Sequence, residues 1–226
     1  MTVDAPVARL AALPGVSTAS GVAAVAEHTR TTGRLLPVRP ELRELLPAGG
    51  LRRGGTVVVR GSTSLLLALL AEATANGSWA AAVAMPNLGL AAAAESGVEL
   101  SRFALVPSPG VEFAAVTAAL LDGLDLVVVG PTDTSPSVAR RLSARARHRG
   151  AVLLSLGPWP GAEVELGCDS SEWSGLEAGY GHLREQRIEV RVTGRGAAAR
   201  ARFVKLTLPG GTEPVPEFAW REEGVG

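Results

Sequence analysis

The chain has 226 residues, of which 46% are hydrophobic, 4% aromatic and 19% charged, with a formal net charge of zero. That length suits one domain with appendages. The balanced charge excludes a bulk electrostatic preference for nucleic acid or membrane surfaces. One cysteine, Cys168, excludes an internal disulfide framework, and His28, His148 and His182 are too scattered for metal-ligand spacing.

In chain order, residues 1–40 are Ala-rich and predict an N-terminal helical segment, with helical periodicity near Pro6–Leu13 and Ser20–Thr31. Asp4, Pro6 and Pro14-Gly15 do not fit a secretory leader, and no run of apolar residues reaches membrane-spanning length. Cytoplasmic residence is therefore the expectation. Glu41–Leu46 reads as a short helix closed by Pro47 and Gly49-Gly50.

The stretch Thr56–Ala71 reads as a buried strand, a tight turn at Gly61, and a helix entered through Ser62, Thr63 and Ser64. Strands and helices then alternate: helix Leu65–Asn76 ended by Gly77, strand Ala80–Ala84, helix Leu88–Ser96, strand Phe103–Val106 and helix Val111–Leu121. Strand Leu124–Val129, helix Ser137–Arg149 with Pro136 at its start, and strand Ala151–Leu156 complete the series. This rhythm predicts βαβ units and a mostly parallel sheet flanked by helices. A short strand near Glu163–Leu166, an unassigned Gly-punctuated stretch Trp173–Leu183, and an antiparallel hairpin of Arg187–Thr193 with Arg200–Leu208 follow. The expected organisation is a core over residues 41–210 and an acidic tail over 211–226.

Strand, turn and helix around Gly61 have the layout of a phosphate-binding loop, but not its chemistry. A working loop needs G-x-x-x-x-G-K-S/T: backbone N–H groups wrap the phosphates, Lys neutralises them, and a hydroxyl holds Mg²⁺. Lys205 is the sole lysine of the chain, far from the loop, and leucines follow Ser64. A second strand should end in an acid for the metal, yet Leu124–Val129 ends in Gly130. A base to orient water should follow the Ala80–Ala84 strand, yet Met85-Pro86-Asn87 stands there. Three positions lack the required group. The expectation is a pseudo-ATPase with no catalytic residue, no metal and no nucleotide cofactor, its degenerate loop being Gly61, Ser62, Thr63 and Ser64.

Leu45–Gly54 followed by Thr56–Gly61 resembles the opening of a RecA-type ATPase core. Within that superfamily the chain resembles the ImuA-type proteins, particularly the actinobacterial ImuA-prime form. The motifs are Gly50-Leu51-Arg52-Arg53-Gly54, Trp173-Ser174-Gly175-Leu176, Gly181-His182-Leu183-Arg184 and Arg191-Val192-Thr193-Gly194-Arg195-Gly196, taken in that order. The resemblance covers roughly residues 40–210. It implies a RecA-like fold and an accessory role in damage-induced translesion synthesis. The implied partners are an ImuB-like pseudo-polymerase and a DnaE-type error-prone polymerase, with self-association open by analogy.

Departures from RecA itself weigh against strand exchange. Gly130–Thr134 is too short for the first DNA-binding loop, and Leu156–Val164 carries Trp159 but no basic residue. Direct DNA contact is an alternative through Arg140, Arg141 and Arg145 on the Ser137–Arg149 helix, or through Arg191, Arg195, Arg200 and Arg202 in the C-terminal β region. The other alternative is an ATPase with unusual nucleotide ligands. Trp173, Phe218 and Trp220 are candidate partner contacts, against the plainer reading that Trp173 packs a loop onto the core and the tail is a frayed end.

Overall fold

The computed structural model describes residues 33–177, 180–195 and 200–210. The expected helices near Pro6–Leu13 and Ser20–Thr31, and the tail with Phe218 and Trp220, lie outside the described residues.

A two-residue strand β1 (Leu35–Leu36) pairs antiparallel with β2 (Leu51–Arg52). Between them Pro40–Leu45 forms a 3-10 helix, one residue earlier and more tightly wound than the sequence suggests, with Leu42 and Leu45 buried. The main sheet begins at β3 (Thr56–Arg60). It continues through α1 (Thr63–Ala75), β4 (Ala80–Val83), α2 (Leu90–Glu95) and β5 (Phe103–Val106). Then come α3 (Phe113–Gly123), β6 (Leu126–Val129), α4 (Pro136–Arg149) and β7 (Val152–Ser155). Three long strands end the described chain: β8 (Val164–Glu177), β9 (Tyr180–Gly194) and β10 (Arg202–Pro209).

The eight strands lie in the order β10-β9-β8-β3-β7-β6-β4-β5. From β8 to β5 every pairing is parallel, while β8-β9 and β9-β10 are antiparallel. This is the expected α/β architecture: a mostly parallel sheet flanked by helices with an antiparallel extension.

The central parallel strands β3, β4, β6 and β7 are buried on both faces, which explains their continuous apolar runs. On one face Val57, Val59, Val128 and Leu154 pack with the α1 leucines and with Ile188, Val190 and Leu208 from the extension. On the other, Val58, Val127, Val129 and Leu153 pack with Leu121, Ala139, Leu142 and Trp159. Leu36 and Val38 join the first cluster, so residues just before position 41 are part of the core.

The element ends have local causes. Ser62 caps α1 by accepting the Leu65 N–H at 3.0 Å, so the helix starts two residues ahead of the leucines. Ser135 caps α4, Pro136 follows in its first turn, and Gly150 closes it at φ +70°. β6 begins at Leu126 rather than Leu124, because the Asp125 and Leu126 N–H groups both turn to the Trp79 carbonyl.

β8 departs most from the sequence reading. Glu163–Leu166 is the foot of a fourteen-residue strand that runs on past Trp173, and the unassigned stretch is its pairing with β9. Register shifts between Cys168 and Ser170 and between Ser174 and Leu176 break the period-two pattern that would have announced it.

Candidate functional site

In open α/β sheets, ligands bind outside the carboxyl ends of the strands. Here that rim carries the Gly61 turn, the Ala84–Leu88 segment after β4, Gly130 after β6 and Leu156 after β7.

At the turn, Gly61 has φ +78°, and a Cβ there would lie 2.7 Å from the Cys168 carbonyl oxygen. The turn is therefore pressed against β8, and only glycine fits. Ser62 is buried and its hydroxyl is spent on the helix cap, while Thr63 is exposed and Ser64 half-buried. Arg60, the nearest cation in sequence, pairs with Glu165 on the neighbouring strand at 2.6 Å. Its charge is directed along the sheet.

Across the rim, the Gly130 N–H donates to the Val83 carbonyl at 2.8 Å. A Cβ at Gly130 would sit 2.1 Å from the Ala84 oxygen and 2.9 Å from the Met85 side chain. No acid fits at the end of β6 unless the end of β4 moves. Ala84 itself has φ +57°, a left-handed conformation that a non-glycine residue adopts at a cost. The space over the turn is a cavity of about 180 Å³ lined by Thr63, Ala84, Met85, Pro86, Asn87, Leu88, Pro131 and Leu156. None of these side chains is ionisable. A larger groove of about 600 Å³ lies beside it between the β5–α3 and β6–α4 loops, and Asp133 is its one ionisable side chain.

The other acid near that strand has a different place. Asp125, at the opposite end, is buried against Arg53, with Oδ1 accepting from Nη1 at 2.8 Å and Oδ2 accepting the Trp79 N–H at 3.0 Å. Arg52 pairs with Glu163 at 2.9 Å. Gly54 donates to the Ala151 carbonyl at 3.1 Å, and a Cβ there would come within 3.1 Å of the Arg147 backbone. A Cβ at Gly50 would approach the Leu36 oxygen to 2.8 Å. The Gly50–Gly54 motif thus ties the amino ends of β3, β6, β7 and β8 together.

The loop after β7 is closed down. Trp159 is buried, and its indole N–H donates to the Ser143 hydroxyl at 2.9 Å, which also receives the Thr56 hydroxyl at 3.1 Å.

The arginines singled out in the sequence are spread over several elements. Arg140 and Arg141 are exposed on α4. Arg145 and Arg149 converge on Asp122 of α3, at 2.5 Å and 3.0 Å. The Arg145 hydrogen bond leads in holding the Asp122 carboxyl below its ordinary pKa, against a smaller opposing effect of burial. The same bond raises Arg145. Arg191 pairs with Asp169 at 3.3 Å, and Arg202 donates to the Glu44 carbonyl. Arg195 borders a pocket near Pro47 and Val164, and Arg200 is exposed. Trp173 stands on β8 opposite Gln186 and is 45% exposed, rather than folding a loop onto the core. Cys168 is half-buried, with burial first and Asp169 second raising its thiol pKa.

Sequence reasoning missed the closure between Gly130 and Ala84 and the Arg53–Asp125 pair. The signal for the first was the matched loss of bulk at Gly130 and in the Ala80–Ala84 strand. The second joins residues 72 positions apart and had no local signal.

The family model described as the MT3502 N-terminal domain matches residues 44–161, which spans β3 to β7 and the rim just described. An uncharacterized protein of Mycobacterium tuberculosis (strain ATCC 25618 / H37Rv), Rv3395c, is 38% identical over 164 residues, covering 67% of this chain and 80% of the relative. On both grounds, this chain belongs to the MT3502 N-terminal domain family.

Proposed function

We propose that this protein is a non-catalytic RecA-like accessory factor of damage-induced mutagenesis, of the ImuA-prime kind. In this reading it works in the cytoplasm as an adaptor for a translesion polymerase complex, with an ImuB-like pseudo-polymerase and a DnaE-type error-prone polymerase as partners.

The observation that carries the reading is the fit between β4 and β6. The position where a nucleotide-hydrolysing relative needs a metal-binding acid is a glycine whose missing Cβ would fall 2.1 Å from the Ala84 oxygen. The Gly61 turn is pressed on β8 and has no cation of its own, since Arg60 is engaged by Glu165. Fold rhythm without the groups for phosphoryl transfer favours a role in contacts over a role in chemistry. The partner assignment rests on the ordered motifs from Gly50 to Gly196 and their resemblance to ImuA-type proteins.

Co-purification of the full chain with the ImuB-like protein of the same organism tests the adaptor reading. A stable complex is expected, and failure of the two purified proteins to associate contradicts it. The DNA-binding alternative is weakened by the ion pairs of Arg145 and Arg191. Tight binding of DNA that falls steeply between two salt concentrations would reinstate it.

A further inference from the structure

The two edges of the main sheet are built differently. β10 carries Arg202, Lys205 and Pro209, the kinds of residue that keep an exposed edge from pairing. β5, at the other edge, is Phe103-Ala104-Leu105-Val106, with no charge and no proline, and all four residues are only half-buried. Its inner side is spent on β4, where the Ala84 N–H donates to the Val106 carbonyl at 3.0 Å. Because backbone groups alternate sides along a strand, Leu105 directs its N–H and carbonyl outward and Phe103 its carbonyl, the Phe103 N–H being taken by the Leu100 carbonyl.

The flanks of that edge are apolar as well. α2 is Leu-Ala-Ala-Ala-Ala-Glu with only Ala93 buried. α3 has no charged residue before Asp122 and buries only Thr117 and Leu121. Leu90, Leu100 and Val111 are 45%, 39% and 98% exposed.

The charge around the edge is mostly acidic. Glu95 and Glu99 lie toward its amino end, and Glu112 and Asp133 toward its carboxyl end. None of the four takes part in an ion pair among the described residues, though Glu99 accepts from the Ser101 N–H and hydroxyl. The nearby cations are committed to other groups: Arg102 to the Gly77 carbonyl and the Trp79 ring, and Arg39 to the Ser96 carbonyl.

We propose that the β5 edge is the docking site for an extended segment of a partner protein, apolar at alternate positions and flanked by arginine or lysine, which adds to the sheet as a further strand. Main-chain hydrogen bonds to the Phe103 carbonyl and to the N–H and carbonyl of Leu105 supply the register, the apolar flanks take alternate side chains, and the acidic ends select basic neighbours. A second copy fits less well, because a two-fold contact sets one acidic rim against the other. The inference rests on the adaptor reading and gives it a surface.

The probe is a fluorescent peptide of alternating valine and threonine with two arginines at each end. Two controls carry glutamates at the ends or N-methylated amides throughout. The arginine-flanked peptide should bind at least about tenfold more tightly than either control. Leu105→Pro should abolish binding. Glu95→Arg with Glu112→Arg, both at exposed positions, leaves the fold intact and should invert the preference for the flanks. Equal binding of both flank types, no loss on N-methylation, or no binding of any peptide overturns the proposal. Sedimentation that shows self-association abolished by the charge reversal also overturns it, assigning the edge to a second copy. If the charge-reversed protein co-purifies with the ImuB-like protein as well as the wild type does, the edge is not the docking site while the adaptor reading stands. Failure of the wild type itself to co-purify strikes the adaptor reading, and the peptide result still decides the edge.

Discussion

Gly130 and Asp125 sit at opposite ends of one strand, and each shows how a single position is held. At Gly130 the constraint is steric. A side chain there has no rotamer that avoids the Ala84 oxygen, since the clash begins at Cβ, 2.1 Å away. Gly130→Asp should therefore destabilise the protein by roughly 3 kcal/mol or more, read from urea unfolding, and should not create Mg-ATP binding. At Asp125 the constraint is electrostatic. Its carboxylate is 1% exposed and the paired Arg53 side chain 8%. Removing one partner leaves a buried charge, so Asp125→Ala should cost about 3–5 kcal/mol. Replacing both by apolar residues of similar size should recover most of that loss, and a double-mutant cycle in urea measures it.

At the scale of elements, the helix starts and helix pairs make their own predictions. Ser62 holds the first turn of α1 through the Leu65 N–H, so Ser62→Ala should cost about 1 kcal/mol by thermal or urea unfolding. α3 and α4 are pinned by Asp122 with Arg145 and Arg149. Because the carboxyl pKa is lowered in the folded state, the contribution is full above the unfolded carboxyl range near ~4 and is lost as the pH falls through the lower folded value. Asp122→Asn should lower stability at neutral pH by up to about 1 kcal/mol, given the exposure of the pair. The gap to the wild type should close as the solution is acidified; a gap that persists in strong acid would mean packing, not charge, explains it.

Elements from β3 to β7 were legible in the sequence because each obeys one rule: an apolar run, a glycine or proline stop, a capping serine. Gly61, Gly77 and Ser135-Pro136 marked boundaries that the structure keeps within one or two residues. β8 was not legible past Leu166, because Asp169-Ser170-Ser171-Glu172 shows no alternation and two register shifts fall within the strand. What holds it there is pairing to β9, a contact between segments, not a local preference. At the candidate site the absent lysine, acid and base could be read directly. The reason the acid has no room could not, because it depends on where Ala84, at φ +57°, points its carbonyl.

For the molecule as a whole, the Gly61 and Gly130 turns of the carboxyl rim are tightly packed beside a groove of about 600 Å³, and the β5 edge is unpaired among the described residues. At that rim the Gly61 turn packs against Cys168 and Gly130 against Ala84. No helix among the described residues is long and apolar enough to cross a membrane. In the adaptor reading proposed above, the working surface is the outside of the fold, with the β5 edge as its least protected part among the described residues. Calorimetric titration of the full-length protein with Mg-ATP tests this most directly. No saturable heat up to millimolar nucleotide is the predicted result. Binding in the micromolar range, lost in a Thr63→Val variant, would contradict the account and make the Gly61 rim a working nucleotide site.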